Sequence, residues 1–329
     1  MSVTQSIYPS DQPDAAKLQL SPNGGLRHLL TLRGLEKSFL NQLLDQSEKY
    51  LSPLGETAIR TGRCEGRTIA NLFFEPSTRT RASFELAAKR LGAEVLNLDV
   101  NTSSRIKGES ILDTIYTLQA MQVDVFVVRD AGAGVPAYIA SHVEPHISIL
   151  NAGEADVSHP TQGLLDLLTI RRNKGNFENL KVVIVGDIAH SRVARSAVEG
   201  LTTMGVGKLH LVSPQALAPD PATMPGTTIS SDLDQSLRGA DVVMALRIQR
   251  ERIDDLQDVL DVEAYVANYG VSRERMKLAA PDAIIMHPGP MNRGIEIESE
   301  LADSSQSAIT SQVQNGVAVR MAVLATVLE

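Results

Sequence analysis

The chain has no tryptophan, a single cysteine, and aromatic residues at only 4% of its 329 positions. Without rows of aromatic rings it has no stacking platform for single-stranded nucleic acid. A net charge of −8 excludes the broad basic surface of a general polyanion binder, so any anion site must be a local cluster of arginine and lysine. The lone Cys64 excludes an internal disulfide and a site built from several thiolates. It stands in the turn Gly62-Arg63-Cys64-Glu65-Gly66, where no nucleophilic role is expected. No apolar run reaches membrane-spanning length; the most hydrophobic, 317–328, is broken by Arg320. Residues 2–14 lack the apolar core of a secretory signal and are expected to form an unstructured or partner-binding arm on a cytoplasmic protein. Also missing are G-x-G-x-x-G spacing, the P-loop, the serine elbow, HExxH, and carboxylate or thiolate clusters with metal-ligand spacing. The expected chemistry therefore uses no metal and no cofactor, and neither nucleic acid nor membrane is an expected partner.

What the chain does have is alternation of apolar strands and helices. At 329 residues it is long enough for two domains, or one large one, and a hydrophobic fraction of 43% is ordinary for a globular protein. The spacing predicts a helix over 35–51, with Leu35, Phe39, Leu40, Leu43 and Leu44 on one face. Strands over 68–74, 95–98, 123–128 and 147–150 then alternate with helices, the first packing through Ala82, Phe84, Leu86, Ala87 and Leu91, the next at 111–120 and 135–142. An amphipathic helix at 162–172 is expected to bridge to a second unit with strands at 181–185, 208–212, 241–246 and 283–286. Residues 214–228 read as a surface loop, and 312–328 as a last helix with Val313, Val317, Met321 and Leu324 on its apolar face. The expected fold class is α/β: two doubly wound parallel-sheet domains with the active-site cleft between them.

Polar motifs recur just past the predicted strands. The first, Phe73-Phe74-Glu75-Pro76-Ser77-Thr78-Arg79-Thr80-Arg81, joins a buried strand to a helix start. Unpaired N–H groups and the positive helix end hold an anion there, and arginines add forked permanent charge. Ser/Thr at a helix start is also ordinary capping, but two hydroxyls alternating with two arginines suit a phosphate cradle better. Further along come Thr102-Ser103-Ser104-Arg105-Ile106-Lys107-Gly108-Glu109, then Arg129, then His159-Pro160-Thr161-Gln162 opening the bridging helix. In the second half come Gly186-Asp187-Ile188-Ala189-His190-Ser191-Arg192, then Arg247, Gln249, Arg250, Glu251 and Arg252, then His287-Pro288-Gly289-Pro290. Each has a plainer alternative, such as a solvated loop, a structural histidine or an ion-paired helix face. Together they suit a phosphorylated ligand plus a second anion.

In this order the motifs closely resemble those of the aspartate carbamoyltransferase family, over almost all of the chain beyond the first two dozen residues. Ser77-Thr78-Arg79-Thr80-Arg81 matches the carbamoyl-phosphate signature, with Lys107-Gly108-Glu109, Arg129, His159-Pro160-Thr161-Gln162, Arg192, Arg247-Ile248-Gln249 and His287-Pro288-Gly289-Pro290 following. The sister ornithine carbamoyltransferases share the first and fourth motifs, but typically carry H-C-L-P where this chain has His287-Pro288-Gly289-Pro290. Charge complementarity at Arg247 and Gln249 favours an anionic acceptor.

The resemblance implies transfer of the carbamoyl group of carbamoyl phosphate to L-aspartate, an early step of pyrimidine synthesis. It implies that Ser77, Thr78, Arg79, Thr80, Ser103 and Arg129 hold the phosphate, with Arg81 in support and Lys107, which would also contact aspartate, neutralising charge as the phosphate leaves. Thr80, Arg129 and His159 would face the carbonyl oxygen, and Gln162 with the carbonyls near Gly289 and Pro290 the carbamoyl NH₂. Arg192, Arg247 and Gln249 would hold aspartate, and the Gly289–Pro290 peptide would be cis. The implied layout is an arm over 1–20, a carbamoyl-phosphate domain over 21–160, an aspartate domain over 161–305, and a helix at 306–329 packing back on the first domain. Also implied are a homotrimer with Ser103 and Lys107 reaching the neighbour's site, and a dihydroorotase or dihydroorotase-like partner. Asp130 departs from relatives that have His there, and could weaken the positive field at Arg129. The alternatives are a transcarbamylase for ornithine or an N-acylated relative, and a non-catalytic anion-binding homologue.

Overall fold

Residues 13–98, 110–249 and 261–329 are described by the structure, a computed structural model. The expected arm over 2–14 therefore lies almost wholly outside the described residues, as do Ser103, Lys107 and the rest of their loop, and Arg250, Glu251 and Arg252. The chain divides into two compact units, Met1–Leu164 with Asn315–Glu329, and Leu165–Gln314. Each is a wholly parallel sheet with helices, so the α/β class and the two-sheet architecture are as expected.

The first unit contains α1 (Ala15–Leu18), α2 (Lys37–Glu48), β1 (Thr68–Phe73), α3 (Thr78–Arg90), β2 (Glu94–Leu98), α4 (Ile111–Ala120), β3 (Val125–Asp130), α5 (Val135–Ala140) and β4 (Ser148–Glu154). Its sheet order is β2-β1-β3-β4. Helix α6 (Pro160–Lys174) runs into the second unit, which continues with β5 (Lys181–Val185), α7 (Arg192–Met204), β6 (Lys208–Val212), β7 (Thr228–Ser230), α8 (Leu233–Leu237), β8 (Val242–Ala245) and β9 (Ile284–Met286). Here the order is β7-β6-β5-β8-β9. The central strands are continuous apolar runs because both faces of a parallel sheet are covered; all six residues of β3 are buried, Arg129 and Asp130 included.

The two sheets share a registering device. In each, an aspartate just before a neighbouring strand, β3 or β8, accepts the first N–H of the strand it pairs with, β1 or β5. Thr68 N–H donates to Asp124 Oδ2 at 2.8 Å, and Lys181 N–H to Asp241 Oδ2 at 2.7 Å. Helix starts are fixed by short polar side chains. Ser110 and Asp113 form a reciprocal capping box on α4, and Ser191 Oγ accepts Ala194 N–H at 3.1 Å on α7. Gly205, at φ 79°, ends α7 in the left-handed region.

Several sequence expectations need correction. The buried side of α3 is Thr80, Phe84, Ala87 and Ala88, whereas Ala82 and Leu86 face outward. Helix α6 is not amphipathic: residues 160–170 are all buried, with apolar Leu164, Leu165, Leu167, Leu168 and Ile170 around its circumference. Buried polar groups on it find partners inside the protein, as where Thr169 Oγ1 donates to Leu165 O at 2.7 Å and Asp166 Oδ1 accepts Gln312 Nε2–H at 2.8 Å. Strand β4 runs on to Glu154, past its expected end at Leu150. Residues 214–228 are not a plain loop; they hold two short 3₁₀ turns that bury Leu217 and Met224, and they end on edge strand β7. In the final helix (Ile309–Val327) Val313 is exposed while Gln312 and Asn315 are buried, because Gln312 spends its amide on internal hydrogen bonds. Among the described residues no helix is long and apolar enough to cross a membrane.

Candidate active site

Ligands of open parallel sheets lie beyond the carboxyl ends of strands, where the strand order reverses direction. In the first unit that point lies between β1 and β3; in the second, between β5 and β8. The described sequence-predicted residues fall at or beside these two edges.

In the first unit, β1 ends at Phe73, and Ser77 takes an extended N-cap conformation before α3. The Ser77 side chain makes no capping hydrogen bond, so its hydroxyl is not committed to the helix end. Thr78 and Arg79 are exposed on the first turn, and Thr80 is buried beneath them. Arg129 is drawn alongside by register: Phe73 pairs with Arg129 across β1 and β3, and Phe74 N–H donates to Arg129 O at 2.8 Å. Its guanidinium is nearly buried and held from two sides, by Ala152 O at 3.2 Å and the Glu75 carboxylate at 3.2 Å. Glu75 thus aims the arginine, a role the sequence reading did not give it although it stands inside the cradle motif. Asp130 turns to other work: its Oδ1 accepts Gly132 N–H at 2.7 Å at the turn after β3.

The neighbouring strand end adds the histidine motif. Glu154 closes β4 by accepting Asn151 Nδ2–H and Gly134 N–H, and Gly153 and Ala155 both have positive φ, so the chain turns sharply there. His159 and Gln162 follow, both buried, with Pro160 in the first turn of α6, and His159 O accepts the N–H groups of Gln162 and Gly163.

In the second unit, Arg192 opens α7 after β5 and is buried. Arg247 and Gln249 follow the adjacent strand β8, with Arg247 Nη2 donating to Gln249 Oε1 at 3.1 Å. This short arm is anchored by Asp187, whose Oδ2 accepts Gln249 N–H at 3.1 Å while Oδ1 pairs with His190. Asp187 is fully buried; the signal for it is its place in the polar motif just past β5, where only Arg192 is read as a site residue. Gly186, at φ 136°, lets the two strand ends close, since a Cβ there would lie 2.3 Å from Leu246 O. Beyond β9 stands the loop His287-Pro288-Gly289-Pro290, with its Gly289–Pro290 peptide cis, as the resemblance implied. Buried Tyr265 has its phenol pushed well above the usual range by burial and by the Glu296 and Asp187 carboxylates. The Cys64 thiol is buried and raised by that burial, which suits a structural residue. Each unit therefore gathers guanidinium groups at one sheet edge, a chemistry suited to anions, and the second also carries a cis-proline turn.

Comparison with known proteins bears on the family and the fold. The family model for the carbamoyl-P binding domain of aspartate/ornithine carbamoyltransferase matches residues 27–172, and that for the Asp/Orn binding domain matches 178–327. The chain is similar to aspartate transcarbamoylase from Trypanosoma cruzi in complex with carbamoyl aspartate and phosphate, at 29% identity and TM-score 0.83, covering 98% of this chain and 100% of that one. The same enzyme in complex with N-(phosphonacetyl)-L-aspartic acid gives 29% identity and TM-score 0.84, covering 95% and 99%. Ornithine carbamoyltransferase from Thermus thermophilus is similar at 26% identity and TM-score 0.79, covering 92% and 99%.

Proposed function

The chain belongs to the aspartate/ornithine carbamoyltransferase family, which makes it a carbamoyltransferase, and we propose that its acceptor is L-aspartate. The reading rests on the arm at the carboxyl end of β8. Arg247 is bonded to Gln249, Gln249 is anchored on Asp187, and Arg192 opens the helix after the adjacent strand. Two guanidinium groups suit the two carboxylates of aspartate, because the planar fork matches a carboxylate with paired hydrogen bonds. The ammonium side chain of ornithine would instead meet like charge.

The chemistry follows from the residues. Ser77, Thr78, Arg79, Thr80 and Arg129 hold the phosphate at the start of α3, and the resemblance adds Ser103 and Lys107 from a neighbouring chain. The amine of aspartate attacks the carbonyl carbon, a C–N bond forms, and the carbonyl oxygen becomes anionic. Thr80, Arg129 and His159 donate to that oxygen, which is where preorganised donors lower the barrier most. Gln162 and the carbonyls near Gly289 and Pro290 fix the carbamoyl NH₂. The carbonyl then re-forms, the C–O bond to phosphate breaks, and the departing phosphate carries off the electron pair and takes up the proton that the attacking nitrogen loses. Orientation and electrostatics supply the rate without a covalent enzyme intermediate. The product, N-carbamoyl-L-aspartate, is a precursor for pyrimidine synthesis.

N-(phosphonacetyl)-L-aspartate joins both ligand halves in one molecule and so tests the pairing. A ligand that binds only the folded state, at a concentration near 100 Kd, stabilises it by about 2.7 kcal/mol. The aspartate compound should raise the melting temperature well above that with the corresponding ornithine compound. An equal shift, or one favouring ornithine, would overturn the acceptor assignment.

A further inference from the structure

His287 and Glu296 form a buried brace around the cis-proline loop. His287 Nδ1 accepts Gly289 N–H at 2.8 Å, which leaves the ring proton on Nε2, and Nε2–H donates to Glu296 Oε1 at 3.1 Å. The same carboxylate oxygen accepts Asn292 N–H. One hydrogen-bonded pair thus grips the loop on both sides, at Gly289 and at Asn292. The brace is itself fixed: His287 N–H donates to Gln312 Oε1 at 2.9 Å, and Gln312 Nε2–H donates to Asp166 Oδ1 at 2.8 Å. His287, Glu296, Gln312 and Asp166 are all at most 2% exposed. Such an arrangement is costly to bury unless its members satisfy one another, and here the His–Glu pair serves two backbone N–H groups that otherwise belong to an irregular turn.

We propose that His287 and Glu296 are positioning residues that set the direction of the Pro288, Gly289 and Pro290 carbonyls toward the carbamoyl NH₂. The inference rests on the carbamoyl-transfer reading above. The pair itself touches no substrate; it acts through the backbone of the loop. The NH₂ group is held there by acceptors, and a misplacement of about 1 Å in such a group costs on the order of a hundredfold in rate.

The test compares wild type, Glu296→Ala, Glu296→Gln and His287→Asn in steady-state turnover of carbamoyl phosphate with aspartate. Inhibition by acetyl phosphate, which has a methyl group in place of NH₂, is measured alongside. Glu296→Ala should lower kcat by on the order of tenfold to a hundredfold and raise KM for carbamoyl phosphate, with Ki for acetyl phosphate nearly unmoved. Glu296→Gln keeps an acceptor oxygen and should recover most of the loss. His287→Asn keeps an acceptor for Gly289 N–H but loses the reach to Glu296, so it should fall between them. Should Glu296→Ala fail to fold, the other two variants decide. Folded variants whose carbamoyl phosphate and acetyl phosphate constants stay together, or whose kcat does not change, would overturn the assignment. Wild-type protein that turns over neither aspartate nor ornithine would instead refute the carbamoyl-transfer reading, and this inference with it.

Discussion

Asp187 accepts from Gln249 N–H and pairs with His190 without being exposed at all. Removing its carboxylate leaves a backbone N–H at the base of the Arg247–Gln249 arm without its acceptor, so the arm should lose its fixed direction. Asp187→Ala is expected to raise KM for the amino-acid acceptor at least tenfold while moving KM for carbamoyl phosphate much less, measured by steady-state kinetics over both substrates. Equal effects on both constants would place Asp187 in general folding instead. A second single-residue prediction concerns pH. His28 is fully buried, its Nδ1 accepts Ile149 N–H at 2.9 Å, and burial, with help from Arg27, pushes its pKa down to about 3 from 6.5. The unfolded chain takes up a proton below pH 6.5 that the folded chain refuses until about pH 3, so stability falls as pH drops through that window. The slope from this group approaches about 1.4 kcal/mol per pH unit. Asn at position 28 can still accept the Ile149 N–H but does not titrate. Melting curves from pH 4 to 7 should therefore be flatter for His28→Asn than for wild type.

At the scale of elements, the closure of β5 on β8 positions the acceptor arm. A Cβ at Gly186 would strike backbone, the Leu246 carbonyl, which cannot move without shifting Arg247 and Gln249. Gly186→Ala should cost about 2 kcal/mol or more in stability and weaken acceptor binding together, read by denaturant unfolding and by KM. The sequence showed these elements unevenly, for physical reasons. Strands such as β3 and β5 were legible because parallel strands buried on both faces are unbroken apolar runs. Edge strand β7 was not, since three partly exposed residues after a Pro- and Ala-rich stretch carry no such run. Helix α6 departs from the expected amphipathic pattern because its polar residues Asp166 and Thr169 are buried and hydrogen-bonded. The same cause hid the supporting part of the site. Charged residues after strand ends announce themselves by position, whereas Glu75, Asp187 and Glu296 act by holding other groups, and spacing along the chain does not record what a carboxylate holds.

At the scale of the molecule, each unit carries candidate binding residues at the carboxyl edge of one sheet, and the proposed reaction would draw on both sets. Ser103 and Lys107, placed by resemblance in a neighbouring subunit's site, make a separable prediction. Mixing inactive Lys107→Ala chains with inactive Arg79→Ala chains should restore part of the activity if sites are shared between subunits. No recovery after exchange would show that each chain completes its own site. The proposal assigns phosphate binding to residues of the first unit and dicarboxylate binding to residues of the second. Its most direct test is release of phosphate from carbamoyl phosphate by the purified protein with L-aspartate, L-ornithine, N-acetyl-L-ornithine or no acceptor. Release that depends on aspartate, with N-carbamoyl-L-aspartate as product, is the predicted result; release driven by either ornithine compound, or saturable carbamoyl phosphate binding without turnover, would contradict it.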